Sequence, residues 1–259
     1  MRELSTKGVN AYRSGGLRSL LRAIPPGIQR RIPRGHLAEY RRLRYSFKYS
    51  AVGPGVIEVD PDRITHCSKR FSPREYVGTV VGGDWDRSTE KFVDMPKPTG
   101  IRERFIHGKE WEETTIFDED SYLIESIRSG GEQDGCESRE ELMERYRAMD
   151  DLYDSINENG YRREKYGYHV AINIGRDGEL LFNRTGWHRL SISKLPGIEV
   201  NSIPVRVVVR HEDWQSLRDQ VAGCESVDEL PDKARQMLDH PDLQDVFKSN
   251  ETSLRRKEG

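Results

Sequence analysis

Cysteine is scarce: the 259 residues hold three, Cys67, Cys136 and Cys224, far apart and without a Cys-x-x-Cys pair. That spacing offers neither a zinc-ribbon ligand set nor a disulfide framework, and it fits a reducing compartment, so a cytoplasmic protein is expected. Long apolar runs are lacking too. No stretch of about eighteen apolar residues occurs to form a transmembrane helix, and the N-terminal Leu17-Arg18-Ser19-Leu20-Leu21-Arg22 is too broken by charge for a signal-peptide core. A soluble protein that is not exported is the expectation. Apolar residues are also few, 34% against 33% charged, which predicts a modest core carrying polar extensions.

What is present is unevenly spread. The formal net charge of −2 hides a basic head, because residues 1–50 carry 12 Lys or Arg against Glu3 and Glu39, a local balance of +10 that leaves −12 for residues 51–259. In this arm Arg18, Arg22, Arg30, Arg31, Arg34, Arg41, Arg42 and Arg44 alternate with Leu17, Leu20, Leu21, Ile24, Ile28 and Ile32, around Pro25-Pro26 and Pro33. Such a segment suits nucleic acid, with Arg30, Arg31, Arg41 and Arg42 as contacts, or an anionic membrane surface, or docking on the chain's own acidic body. Ala51-Val52-Gly53-Pro54-Gly55 reads as the linker that ends it.

Residues 51–130 read as a smaller N-terminal α+β module. Val56–Asp60 alternates like a strand, Pro61–Ile64 like a turn, and Tyr76–Val81 like a second strand leading to Gly82-Gly83-Asp84-Trp85-Asp86. Asp84 and Asp86 could hold a divalent metal or act as a base; the alternative is a polar turn in which Asp84 caps the backbone and Trp85 packs. A helix is expected through Tyr122, Leu123 and Ile127, and Ser129–Gly135 reads as a flexible boundary.

The clearest helix follows. Ser138 with Glu141 forms a capping box, Leu142, Tyr146, Met149, Tyr153 and Ile156 recur at spacings of three and four, and Gly160 stands at the C-terminal stop. Asp154 and Glu158 lie one turn apart near its end, as a pair of candidate bases or as a solvated edge. Gly175-Arg176-Asp177-Gly178 between apolar runs predicts a hairpin. Then Phe182–Leu195 reads as a strand turning into a helix, with Gly186, His188 and Arg189 at the junction. Orphan N–H groups at a helix start, a glycine that allows close approach and two side-chain donors together make an anion site; a surface loop with a stray His and Arg is the alternative. A strand at Ile203–Val209, a helix over about Glu212–Val221 and a helical C-terminal tail over 223–259, with a capping box at Ser226–Glu229, complete the chain.

The ordered set Ser155-Ile156 with Asn159-Gly160, the Asp177-Gly178 hairpin, Gly186-Trp187-His188-Arg189 opening a helix, and Ile203-Pro204-Val205 in a strand resembles the ParB/sulfiredoxin-like superfamily. The resemblance spans about Asp150 to Arg210 and implies an α+β domain of that type over 138–222. Its G-x-H-R form is similar to that of sulfiredoxins and free-serine kinases, where this turn binds nucleotide phosphates, which carries the role to Gly186, His188 and Arg189. Trp187 stands where sulfiredoxins have cysteine and ParB proteins glutamate, so sulfinic acid repair and chromosome partitioning are not expected. Two readings follow from the resemblance. One is a kinase or NTPase that holds ATP or another nucleotide with magnesium, with Glu158, Asp154 or the Asp84/Asp86 pair as base; the other is a ParB-like DNA-binding or regulatory module without turnover.

Overall fold

The structure, a computed structural model, describes residues 40–247 apart from 42, 44, 47, 69, 70, 72 and 163–169. It is a mixed α+β arrangement. Seven strands form one mixed sheet: β1 (Val56–Val59), β2 (His66–Ser68), β3 (Thr79–Val81), β4 (Thr89–Lys91), β5 (Val170–Ile174), β6 (Leu180–Phe182) and β7 (Ile203–His211). The order is β1-β7-β5-β6-β2-β4, with β3 paired to the far half of β7. The β5–β6 hairpin is antiparallel, as Gly175–Gly178 predicts, while β7 runs parallel to β5 and β2 parallel to β6. All five residues of β5 are buried and so is all of β6, which is why these runs are apolar without alternation except at Asn173, whose Oδ1 accepts from Asn183 Nδ2 at 2.7 Å.

Strands from the expected 51–130 module and from the expected 138–222 domain thus share a sheet, and the boundary at Ser129–Gly135 does not divide it. β1 pairs with β7 from Val56 opposite Arg206 to Val59 opposite Ile203. The expected strand over 76–81 is shorter, because α1 (Pro73–Tyr76) and a left-handed Gly78 precede β3. Besides α1, three elements escaped the sequence reading. β2 and β4 are three residues each, and α2 (Pro96–Phe105) has a proline at its start and little amphipathic pattern to betray it.

Four helices cover the site end: α2, α3 (Tyr122–Arg128), α4 (Arg139–Asn159) and α5 (Trp187–Ser193). In α4, Ser138 Oγ accepts the Glu141 N–H at 3.1 Å while the Glu141 carboxylate takes the Glu137 N–H at 2.9 Å, one residue earlier than a capping box prescribes. Gly160 ends the helix at φ 66°. Arg104 of α2 pairs with Asp150 of α4 at 2.8 Å, and Trp111 donates to the same carboxylate at 3.0 Å, so the two helices are tied together. α5 packs on both, sending Leu190 into the core beside the sheet and Ile192 into the core between helices.

Both chain ends of the described region dock on the body. Arg41 donates to the Val77 carbonyl at 3.0 Å, Lys48 pairs with Glu212 at 3.0 Å, and Tyr49 is buried. The last residues of the arm are therefore seated on the body; Arg30, Arg31 and Arg42 lie outside the described residues. After α6 (Glu212–Gly223), Ser226–Glu229 encloses a 3-10 turn where a helix was expected, followed by α7 (Asp232–Arg235). Leu230, Ala234, Leu243 and Val246 enter the main core, which makes residues 224–247 a strap and not a peripheral tail. Among the described residues no helix is long and apolar enough to cross a membrane.

Candidate functional site

At the carboxyl end of β6 the chain must leave a fully buried strand and start a helix within four residues. Asn183 N–H donates to the Ala171 carbonyl at 2.8 Å, and Ala171 N–H donates to the Thr185 carbonyl at 3.0 Å, so the turn stays stitched to β5. Gly186 is the N-cap of α5 at φ 91° and ψ 30°. A Cβ there would stand 2.9 Å from Val170 Cγ2 and 3.0 Å from its Cα. The glycine is thus required by packing against β5 and by its left-handed backbone. The expected reason, space for a ligand's approach, is not the one its surroundings give.

Beside this turn lies a cleft of about 520 Å³, with Arg145, Met149 and Leu152 of α4 on one side and residues 184–189 on the other. Asp134 also lines it. Arg145, Met149 and Leu152 sit at i, i+4 and i+7, one helical face. Two non-glycine residues among those described have positive φ, Asp134 at 53° and Arg184 at 50°, and both line this cleft. Left-handed backbone at an L-residue costs roughly 1–2 kcal/mol, and such outliers gather where function requires a side chain to be aimed.

The described lining of the cleft is rich in arginine. It holds Arg145, Arg184 and Arg189 and, among the described residues, one carboxylate, Asp134, which pairs with the buried Lys97 at 2.6 Å. Lys97 Nζ also lies 5.9 Å from the centre of the Trp187 ring. Asp134 Oδ2 accepts from the Tyr146 hydroxyl at 3.3 Å and stands 3.5 Å from His188 Nε2. Burial works to raise the Asp134 pKa, but the His188 contact and the Lys97 charge outweigh it and hold the carboxyl well below the usual range. Burial lowers the His188 pKa, against the pull of Asp134, so the imidazole is neutral at pH 7. Arg189 is 7% exposed and donates to the Tyr161 hydroxyl at 3.2 Å.

The expected site residues separate. Gly186, His188 and Arg189 line the cleft, and Trp187 joins them while its ring stacks on Phe92 at 5.6 Å and meets Phe182 edge-on at 4.5 Å. Asp154 and Glu158 are exposed and absent from the cleft lining; Asp154 sits two residues past Leu152, about 200° around the helix. Asp84 and Asp86 both grip Arg176. The Arg176 guanidinium reaches Asp86 at 2.7 Å and Asp84 at 2.8 Å, and although burial acts to raise it, this pairing lowers the Asp86 pKa to about 2. No group of three or more His, Cys, Asp or Glu able to hold a metal exists among the described residues. Lys97, Asp134, Arg145, Tyr146 and Arg184 were not foreseen as site residues. One signal was available: Asp134-Gly135 is a dipeptide that favours left-handed backbone, and it was read as linker.

No protein-family model matches the chain, and neither curated proteins nor solved structures include one significantly similar to it. Fold and cleft define it as a mixed α+β protein, with its cationic cleft between α4 and the β6–α5 turn.

Proposed function

We propose that this chain is a ParB/sulfiredoxin-like protein whose cleft binds the phosphates of a nucleotide. The carrying observation is the exposed pair Arg145 and Arg184, which line the cleft from its two sides while Asp134, the carboxylate among its described lining residues, pairs with a buried lysine. Arginine forks suit the oxygens of a di- or triphosphate. A cleft of about 520 Å³ is of a size that holds a small cofactor. α5 has only seven residues, so its dipole adds little and the side chains carry the attraction.

Supporting the family reading, the Asp177-Gly178 hairpin, the Gly186 cap and the Ile203–His211 strand meet around one sheet in the order the resemblance requires. Turnover has weaker support, because Asp154 and Glu158 stand off the cleft and Asp134 is a poor base while paired with Lys97. The described residues offer no carboxylate cage, so magnesium would travel with the phosphates and no step here depends on it. The test is a thermal-shift screen of ATP, ADP, CTP and GTP with magnesium. A nucleotide at about one hundred times its Kd stabilises the fold by about 2.7 kcal/mol, whereas no shift with any of the four would remove the proposal.

A further inference from the structure

We infer that an anion entering this cleft brings a proton with it, taken from solvent onto Nδ1 of His188. The inference rests on the phosphate-site reading and adds to it a regulation by pH. Donor and acceptor bookkeeping carries it. His188 Nε2 stands 3.3 Å from the Tyr146 oxygen and 3.5 Å from Asp134 Oδ2, and the Tyr146 hydroxyl stands 3.3 Å from that same Oδ2. Asp134, held ionised by Lys97 at 2.6 Å, can only accept, so the one phenolic hydrogen belongs to it. A lone pair on Nε2 would then face a carboxylate oxygen, so Nε2 carries the ring hydrogen. The other nitrogen, Nδ1, is what His188 has left for a ligand.

In the neutral ring Nδ1 is an acceptor, and a phosphate-type oxygen is an acceptor as well; the two repel until a proton stands between them. The groups facing the imidazole set the balance. Lys97 from α2 and Arg145 from α4 oppose a positive ring, Asp134 from the turn after α3 favours it, and Tyr146 is uncharged. Arg184 and Arg189 line the same cleft. Without an anion the opposition and burial prevail, and the ring is neutral at pH 7. A dianion seated beside Arg145 offsets that field and supplies an acceptor for Nδ1–H, so the ring becomes imidazolium. No other bond changes.

Sulfate is the appropriate probe, being a tetrahedral dianion that does not titrate near neutrality. Imidazole nitrogen NMR, with the His188 signal assigned by its loss in His188→Gln, reads tautomer and charge directly. The free protein at pH 7 should show a neutral Nε2–H ring, and saturating sulfate should protonate both nitrogens. Affinity should climb as pH falls from about 8 to about 6, by up to about tenfold per unit, which is the limit for one proton. His188→Gln should retain weaker sulfate binding through the arginines and lose that pH dependence. Sulfate bound by a ring that stays neutral, a pH-independent affinity, or a free ring with its hydrogen on Nδ1 would each overturn the inference while leaving the anion site intact. Failure of both sulfate and the four nucleotides to bind would remove the site itself.

Discussion

Arg184 concentrates the tension between stability and function. Its φ of 50° is a conformation that glycine adopts freely, yet an arginine occupies it at the lip of the cleft. Arg184→Gly should therefore stabilise the fold by about 1 kcal/mol and weaken nucleotide binding about tenfold or more, since a charge-assisted contact to phosphate contributes about 1.5–3 kcal/mol. Denaturant unfolding and calorimetric titration of the same preparation read both quantities. A more stable protein with unchanged affinity would show the strain to be incidental. Trp187 acts differently, because its ring closes an aromatic triad with Phe92 and Phe182. Trp187→Ala should lower stability by about 3–5 kcal/mol, measurable as a drop in Tm.

Among the elements, the strap of residues 224–247 gives the clearest prediction. Asp242 is fully buried and receives the Arg210 guanidinium through two hydrogen bonds, 2.9 Å from Nε and 2.6 Å from Nη2, with Trp214 Nε1 at 2.9 Å and Arg218 at 3.4 Å. Burial acts to raise its pKa, but the charges of Arg210 and Arg218 bring it to about 2. Asp242→Asn leaves the buried Arg210 guanidinium without its counter-charge, while Arg218 keeps Asp245 at 2.7 Å, and should cost about 3–5 kcal/mol. His240 on the same strap donates from Nε2 to the Gly178 carbonyl at 2.8 Å and accepts the Asp242 N–H on Nδ1 at 3.2 Å. Gly178, at φ 87°, has no room for a Cβ, which would stand 2.7 Å from Trp214. Burial lowers the His240 pKa, against the Gly178 carbonyl, as it does for His188. The unfolded chain then takes up protons before the folded one, so stability is full above about pH 6.5 and falls as pH drops below it. Asp242 contributes a second share of stability, full above its unfolded value of about 3.9 and lost as pH falls through about 2. Urea unfolding at a series of pH values checks the first step, which should shrink in His240→Gln. Elements with a strong local signal were legible in the sequence: α4 from its periodicity and caps, the β5–β6 hairpin from Gly175–Gly178, and the buried run of β7. β2, β4 and the strap were not, because three-residue strands have no period to read and the strap is held by partners more than twenty residues away.

For the whole molecule, one sheet joins segments that read as two modules, so the chain from Tyr40 to Phe247 should unfold in a single cooperative transition. Residues 138–222 expressed alone should not fold, having lost β1, β2 and β3 from beside β7 and β6; a stable, well-dispersed fragment would contradict this. The site was half legible for a related reason. Gly186, His188 and Arg189 form a contiguous motif, whereas Asp134 and Arg145 in the lining, and Lys97 behind Asp134, come from three separate segments. The most direct measurement of the phosphate-site proposal is calorimetric titration of ATP, ADP, CTP and GTP with magnesium into the wild type and into an Arg145→Ala/Arg184→Ala double variant. Both side chains are exposed, so the variant should keep the wild-type Tm. At least one nucleotide should bind the wild type and bind the variant about a hundredfold more weakly or worse, two charged contacts having been removed. Equal affinity for both proteins, or no binding by the wild type, would contradict a phosphate site between α4 and the β6–α5 turn.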